Sequence, residues 1–210
     1  MTLVAIGGPS GAGKSTLCQE LASRLELDGQ VARIPYWRDF HRFLADPSTY
    51  AFQNQIQAMH AVCASIDEAR ATGRRWVLSD NDPVRVHMVH SWLLRRQGLI
   101  SRTQWGTLCR DYTKRDTGGA SIYIVLLTEE ATLRCRLHHR NRGEDLARSL
   151  GELPVVLSRW RELAARRAMW ANGRWVHTID AGRPIQDVAI EAWRILDCFS
   201  RAQKSLESER

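Results

Sequence analysis

The sequence predicts an α/β fold built around a parallel sheet, and three observations support this. First, residues 3–6 form a short apolar run with β-branched members, as in a strand buried inside a parallel sheet. Second, a glycine-rich stretch follows, and then Leu17, Leu21 and Leu25 recur every fourth residue, which indicates an amphipathic helix. Third, strand-like runs continue to alternate with helical patterns along the chain. These further runs span residues 31–36, 76–79, 121–127 and 175–179.

The length and composition predict one domain that spans residues 1–210. Of the 210 residues, 44% are hydrophobic and 25% are charged, as in an ordinary globular protein. No apolar run reaches membrane length, and Met1 leads directly into the first strand, so we expect a cytoplasmic protein without membrane contact. The five cysteines are scattered, which favours buried thiols over disulfides or a zinc site.

The net charge of +7 at pH 7 and the pI near 9.6 are compatible with nucleic-acid binding. The arginines, however, cluster in one late segment, and an enzyme that handles several phosphates needs cations there. We therefore favour a small anionic substrate over a polynucleotide as the partner.

The glycine-rich stretch, residues 8–16, matches the phosphate-binding pattern G-x-x-x-x-G-K-[ST] at each fixed position. Glycines let several main-chain N–H groups approach phosphate oxygens, and the helix that begins near Lys14 directs its positive dipole end at them. We expect Lys14 to reach the β- and γ-phosphates of ATP and the Ser15 hydroxyl to hold Mg²⁺. A strand-to-helix turn without a ligand is the less favoured alternative. The predicted nucleotide-binding residues are Gly8, Ser10, Gly11, Ala12, Gly13, Lys14, Ser15 and Thr16.

Candidate catalytic carboxylates follow the second and third predicted strands. Asp39 comes after the second strand, close to Tyr36 and Trp37, and Asp80 comes directly after the third. Ligands of open α/β sheets bind beyond the carboxyl ends of the strands, so these residues should face the site. A carboxylate there can hold the Mg²⁺ shell or take the proton of an acceptor hydroxyl. We prefer Asp80, although a structural role for Asp80 and a solvated helix-start role for Asp39 stay open.

A long helix is predicted from Tyr50 to Gly73, and amide side chains crowd its first turns. An amide both donates and accepts hydrogen bonds, so one of them could bind a nucleobase edge, whereas surface glutamines would have no such role. These amides are Gln53, Asn54, Gln55 and Gln57. The predicted inward stripe is Phe52, Ile56, Met59, Val62, Cys63, Ile66 and Ala69.

Four arginines fall within nine residues late in the chain, where a helix should break. They are Arg134, Arg136, Arg140 and Arg142. We predict a lid of about residues 136–151 that closes on the donor phosphates and neutralises the charge spread during phosphoryl transfer. A solvated basic helix end is the alternative. The loop at residues 180–184, after the last strand, should pass near the adenine of ATP.

The remaining helices are predicted at residues 84–94, 101–112 and 153–170, the last opened by Pro154. A final helix should bury Ile185, Val188, Ala192, Ile195 and Phe199, and the polar tail from Ser200 should be frayed. The adjacent His138 and His139 do not share a helix face, so we expect surface residues rather than metal ligands.

The chain resembles the deoxynucleoside kinase family of P-loop phosphotransferases in three segments, residues 8–16, 43–55 and 136–142. The resemblance implies a three-layer α/β/α P-loop kinase with a five-stranded parallel sheet and an arginine-rich lid. It further implies that Gln55 pairs with the substrate base and that the lid arginines grip the donor phosphates. Tyr36, Trp37, Phe52 and Arg85 are the other candidates for contact with the acceptor.

Two departures from the family concern the acceptor half. The family has Glu-Pro at the end of the second strand, with the glutamate as general base, whereas residues 33–36 here read R-I-P-Y. After the third strand, the family's acid-Arg-Ser is replaced by Ser79, Asp80, Asn81 and Asp82.

We therefore expect an ATP-dependent kinase for a hydroxyl of a nucleoside or nucleoside-like molecule. A kinase for a non-nucleoside acceptor such as an antibiotic, and a nucleotide-dependent switch or ATPase, are the alternatives. The oligomeric state is open, with a homodimer among the possibilities.

Overall fold

The computed structural model describes residues 1–32, 40–80, 83, 85–115, 120–140, 145–166 and 175–208. In these ranges five parallel strands form one sheet in the order β2-β3-β1-β4-β5. On the central strand, Val4 aligns with Leu78 on one side and Ile122 on the other. The predicted α/β class and its five-stranded parallel sheet are confirmed. The strands are β1 (Thr2–Gly7), β2 (Gly29–Val31), β3 (Trp76–Ser79), β4 (Ile122–Leu127) and β5 (Trp175–Asp180).

Helices cover both faces of the sheet and bury a hydrophobic core on each. Alternate side chains of β1 supply the two cores: Val4 and Ile6 lie in one, Leu3 and Ala5 in the other. The helices are α1 (Lys14–Leu25), α2 (Phe40–Ala45), α3 (Pro47–Ala71), α4 (Trp92–Arg96), α5 (Arg102–Arg115), α6 (Glu130–Arg140), α7 (Asp145–Ala165) and α8 (Ile185–Ser208). A 3₁₀ turn spans Glu26–Asp28 and a π-helical segment spans Arg85–Ser91.

The second strand begins two residues earlier than predicted, at Gly29. The 3₁₀ turn at Glu26–Asp28 delivers Gly29 directly opposite Trp76 of β3. A Cβ on Gly29 would lie 2.8 Å from the Cβ of Leu25, so glycine permits this close approach to α1. The rest of the predicted strand, residues 33–36, lies outside the described residues.

Helix α3 begins at Pro47, three residues before the predicted start at Tyr50, because Asp46 caps it. The Asp46 Oδ1 accepts hydrogen bonds from the Ser48 hydroxyl at 2.6 Å and the Thr49 N–H at 3.1 Å. These bonds hold the pKa of the Asp46 carboxyl below its usual value. The predicted stripe is buried at Met59, Val62, Ile66 and Ala69, whereas Phe52, Ile56 and Cys63 are only half-buried.

Helix α7 corrects the prediction for Pro154. It begins at Asp145, so Pro154 lies inside the helix instead of opening it. A proline costs one backbone hydrogen bond there, but its side chain is exposed, whereas Leu157 and Trp160 of the same helix are buried. The packing of that apolar face keeps the helix continuous.

Helix α8 also extends further than predicted, because residues 200–208 are helical rather than frayed. Phe199 anchors this end of the helix. Its ring lies edge-on to Trp175 at 5.1 Å and to Trp76 at 6.4 Å between centroids. The Arg75 guanidinium also donates to the Ser200 hydroxyl at 3.1 Å. None of the helices in the described part of the chain is long and apolar enough to cross a membrane.

The cysteines differ from the prediction of buried thiols. Cys18 on α1 is buried, and this burial raises the pKa of its thiol. Cys63 and Cys109 are half-buried, whereas Cys135 and Cys198 are exposed. His138 and His139 are both exposed at the end of α6, as expected.

Candidate active site

The phosphate loop connects β1 to α1, as predicted. Its glycines at positions 8, 11 and 13 have φ values of 138°, 83° and 92°, a region that side chains with a Cβ rarely adopt. At Gly8 a Cβ would also lie 2.5 Å from the carbonyl oxygen of Leu126 in β4. The loop folds back so that Lys14 Nζ donates to the Pro9 carbonyl at 2.8 Å, and Lys14 is only 8% exposed. This conformation leaves the N-terminus of α1 at the base of a cavity.

Asp80 lies beside the phosphate loop. Strands β1 and β3 are parallel neighbours, so their carboxyl ends meet at one edge of the sheet. There the Ser15 hydroxyl donates to Asp80 Oδ2 at 2.5 Å, across 65 residues of sequence. The structure thus brings together the two residues predicted to hold Mg²⁺.

The oxygen pair of Ser15 and Asp80 fits a Mg²⁺ site. Mg²⁺ is usually held by one or two protein oxygens together with waters and substrate phosphates, rather than by a cage of protein ligands. No group of three or more His, Cys, Asp or Glu residues that could hold a metal occurs in the described ranges.

Helix α6 packs directly against the phosphate loop. A Cβ built on Gly11 would lie 3.3 Å from the Leu133 carbonyl and 3.8 Å from the Cβ of Arg136. Arg136 and Arg140 therefore reach the same cavity as the loop. Arg134 faces elsewhere and forms an ion pair with Glu130 at 2.7 Å, one turn before it on the helix.

A cavity of about 400 Å³ opens over the phosphate loop. Three parts of the chain form its walls: the loop with the start of α1, the inner face of α6, and the loop that leads from β5 into α8. The lining residues are Gly11, Ala12, Gly13, Lys14, Ser15, Thr16, Arg136, Arg140, Ala181, Arg183, Ile185 and Val188. Of the predicted nucleotide-binding residues, Gly8 and Ser10 belong to the loop but do not line this cavity.

The wall formed by the β5–α8 loop contains Arg183, for which the sequence predicted no individual role. Its guanidinium is held in place by an ion pair with Glu191 and by a hydrogen bond from Nε to the Asp180 carbonyl at 3.2 Å. The hydrogen bond to Glu191 raises the pKa of Arg183. The loop had been expected near the adenine of ATP, and the apolar side chains of Ile185 and Val188 lie in the same wall.

Gln55 is buried rather than on the surface, with 5% of its area exposed. It projects from α3 toward the π-helical segment, where the Ser91 hydroxyl donates to its Oε1 at 3.1 Å. Asn54 is buried as well, whereas Gln53 is exposed and Gln57 half-buried. Among the four candidate amides, burial therefore distinguishes Asn54 and Gln55.

Several candidate residues lie outside the described residues, namely Tyr36, Trp37, Asp39 and Arg142. The same holds for the side chain of Arg85 and for Asn81 and Asp82. The predicted lid, residues 136–151, is described at the end of α6 and the beginning of α7, with residues 141–144 outside.

An aromatic stack between the π-helical segment and α5 has no obvious signal in the sequence. His87 of the π-helical segment lies between Trp105 and Tyr112 of α5, at 4.7 and 4.8 Å between ring centroids. Its Nδ1 is buried and makes no hydrogen bond. Burial lowers the pKa of His87 to about 4, so its imidazole is neutral at pH 7.

Comparisons with known proteins agree with this architecture. The chain is similar to deoxyadenosine kinase from M. mycoides in three solved structures, with bound dCTP, with bound dATP, and with the products dCMP and a flexible dCDP. In each case the identity is 18%, and 93% of this chain and 99% of the other are covered, with TM-scores of 0.73, 0.73 and 0.74. This likeness shows the P-loop kinase fold. Among curated protein sequences, none matches the chain.

A sequence model described as deoxynucleoside kinase matches residues 4–172. The match begins in β1, includes the phosphate loop, Gln55, Asp80 and α6, and ends beyond α7. With the fold, the phosphate loop and the arginine-lined cavity in agreement with this match, the chain belongs to the deoxynucleoside kinase family and is a phosphotransferase.

Proposed function

We propose that the protein transfers the γ-phosphate of ATP to a hydroxyl of a nucleoside or nucleoside-like small molecule. One observation carries the proposal. Lys14, Arg136 and Arg140 line a single cavity above the phosphate loop. Phosphoryl transfer needs positive charge around the migrating group more than it needs any covalent chemistry from the protein.

For the donor, the main-chain N–H groups of residues 11–16 bind the β- and γ-phosphates, and Lys14 with the two lid arginines neutralises their charge. Lys14 leaves its contact with the Pro9 carbonyl when phosphate oxygens, which are stronger acceptors, replace it. The wall around Arg183, Ile185 and Val188 receives the adenine.

Ser15 and Asp80 are the residues that would hold Mg²⁺ at this site. When bound, the ion neutralises charge on the β- and γ-phosphate oxygens. Asp80, at the carboxyl end of β3, also orients or deprotonates the acceptor hydroxyl, and Asp39 is the alternative for that role. On the acceptor side, Gln55 binds the base, while Tyr36, Trp37, Phe52 and Arg85 complete the proposed contacts. Arg142 acts with the two other lid arginines on the phosphate charge.

The proposal is tested by measuring ADP release with Mg²⁺-ATP and a panel of ribonucleosides, deoxynucleosides and hydroxyl-bearing antibiotics. We expect ADP release to depend on an added nucleoside. Release that depends on an antibiotic alone would favour the non-nucleoside alternative. Release without any acceptor would favour a nucleotide-dependent ATPase.

The two carboxylates are separated by a pair of variants, Asp80→Asn and Asp39→Asn. If Asp80 has the proposed roles, its replacement lowers kcat by roughly a hundredfold or more. Full activity of Asp80→Asn together with an inactive Asp39→Asn would assign the general base to Asp39.

A further inference from the structure

The π-helical segment Arg85–Ser91 passes directly into α4, which begins at Trp92. In a π-helix each N–H bonds to the carbonyl five residues earlier, whereas in an α-helix it bonds to the carbonyl four residues earlier. Where this spacing falls from five to four, one carbonyl is passed over and receives no main-chain N–H. Such a junction is stable inside a protein only if a side chain or water supplies the missing donor.

Arg159 of α7 supplies a donor at this junction. Its Nε donates to the main-chain carbonyl of Met88 at 3.0 Å, and its guanidinium carbon lies 4.8 Å from the centre of the Trp92 ring. Met88 belongs to the π-helical segment and Trp92 to α4, so one planar group spans both sides of the junction. The Arg159 Nη1 also donates to Glu162 Oε2 at 2.7 Å, and only 10% of the Arg159 side chain is exposed.

The segment that Arg159 holds borders the proposed acceptor site. At its end, the Ser91 hydroxyl donates to Gln55 Oε1 at 3.1 Å, and in its middle His87 is stacked between two rings of α5. Its first residue is the fifth after Asp80. A change from π-helical to α-helical spacing would rotate the segment relative to α4 by one residue, which is about 100°. The contact with Gln55 and the stack of His87 could not both survive that rotation.

We propose that Arg159 is a positioning residue for the acceptor, because it holds the π-helical turn in the register that places the segment against Gln55. This inference rests on the proposed nucleoside kinase function. It adds a residue of α7 that acts on the acceptor through the main chain of the π-helical segment, without contact to the substrate.

The test compares the KM for a nucleoside with the KM for Mg²⁺-ATP in the natural protein and in Arg159→Met. Methionine keeps an unbranched apolar side chain but cannot donate to the Met88 carbonyl. We expect the KM for the nucleoside to rise roughly tenfold, because a half-buried carbonyl loses its donor and the segment shifts. The KM for ATP should stay within about twofold, since the phosphate loop lies between β1 and α1. An equal rise of both values would indicate general destabilisation and would contradict the proposal.

Arg166→Ala is the matched control. Arg166 lies on α7 and forms an ion pair at 3.0 Å with the same carboxylate, that of Glu162, but its side chain is 62% exposed. Its replacement removes one cationic partner of Glu162 and leaves the bond from Arg159 to Met88 in place. Both KM values should therefore stay within about twofold of those of the natural protein. If Arg166→Ala raises the KM for the nucleoside as much as Arg159→Met does, the effect comes from Glu162 and the inference is wrong.

Arg159→Lys is a milder second variant, in case Arg159→Met does not fold. Lysine keeps the charge, but a point charge on a flexible stem cannot stack on Trp92 and bond to the carbonyl as a planar guanidinium does. The KM for the nucleoside should rise at least about threefold. Thermal unfolding establishes which variants are folded, and an unchanged KM for the nucleoside in a folded variant overturns the proposal while nucleoside phosphorylation stands. If the natural protein phosphorylates no nucleoside, the proposed function is wrong and the inference falls with it.

Discussion

Arg134 and Arg136 are two residues apart on α6, yet the structure gives them different surroundings. Arg136 lines the cavity above the phosphate loop, whereas Arg134 is paired with Glu130 on another side of the helix. Residues two apart on a helix do not share a face, so the two arginines form a natural comparison.

We predict that Arg136→Ala lowers kcat by roughly a hundredfold, because one cation next to the migrating phosphoryl group is lost. Arg134→Ala should keep kcat within about twofold, since it removes only a surface ion pair. Steady-state assays with saturating ATP and nucleoside measure both. Equal losses in the two variants would contradict a specific role for Arg136.

His87 makes the stability of the folded protein depend on pH. Burial lowers the pKa of His87 to about 4, below its usual value of 6.5. Between pH 4 and pH 6.5, His87 binds a proton in the unfolded chain but not in the native chain. The free energy of unfolding therefore keeps its full value above pH 6.5 and decreases as the pH falls toward 4. At pH 5 the His87 imidazole lowers the free energy of unfolding by about 2 kcal/mol.

Urea unfolding at pH 7 and pH 5 measures this loss. His87→Phe, which keeps an aromatic ring between Trp105 and Tyr112, should lose about 2 kcal/mol less than the natural protein over that interval. His138→Gln, at an exposed position, should behave as the natural protein does. An unaltered pH dependence in His87→Phe would show that the stacked imidazole does not control it.

At the scale of elements, two glycines of the helices differ in whether their backbone conformation requires glycine. Gly151 lies within α7 without a positive φ, and a Cβ there would meet nothing within 4 Å. Gly73 follows the end of α3, and a Cβ would also meet nothing, but its φ is 71°.

Gly151→Ala should therefore stabilise the protein by about 1 kcal/mol, because alanine loses less backbone entropy in a helix. Gly73→Ala should destabilise it by about 1 kcal/mol, because alanine is strained in the left-handed region. The free energy of unfolding of each variant is the measurement. Stabilisation by both substitutions would mean that the end of α3 relaxes without strain.

At the scale of the whole molecule, the cavity joins the phosphate loop, α6 and the start of α8, which are distant in sequence. A ligand that binds them only in the native state stabilises the fold as a whole. At a hundred times its Kd, Mg²⁺-ATP should add about 2.7 kcal/mol and raise the Tm by roughly 5–10 °C.

Differential scanning fluorimetry with and without Mg²⁺-ATP measures this shift. Lys14→Met keeps the length and apolar stem of the side chain but loses its charge, so its shift should be much smaller under the same conditions. A full shift in Lys14→Met would contradict the assignment of the phosphates to this loop.

The sequence was informative where the relevant residues are contiguous or follow a strand end. The phosphate loop was predicted in full because its glycines, Lys14 and Ser15 act through local backbone geometry. The contact between Ser15 and Asp80 was anticipated because parallel strands end at one edge of the sheet. The family resemblance, carried by three short segments, agrees with the match over residues 4–172.

The sequence was less informative where helix packing overrides local preference. Pro154 is a common helix opener, yet it lies inside α7 because the buried face of that helix outweighs the lost hydrogen bond. The polar tail was expected to fray, but Phe199 and Ser200 are held by residues around β3 and β5. Both corrections come from contacts between residues far apart in the chain.

By itself, the sequence determined the phosphate loop, since such a loop needs particular residues at fixed offsets. Only the tertiary structure decided that Arg134 pairs with Glu130, that Arg183 forms a wall of the cavity, and that Ser91 meets Gln55. These contacts depend on the rotation of each helix about its axis and on the register of a π-helical turn. Rotation and register are fixed by the packing of whole helices on the sheet, which no local pattern of residues records.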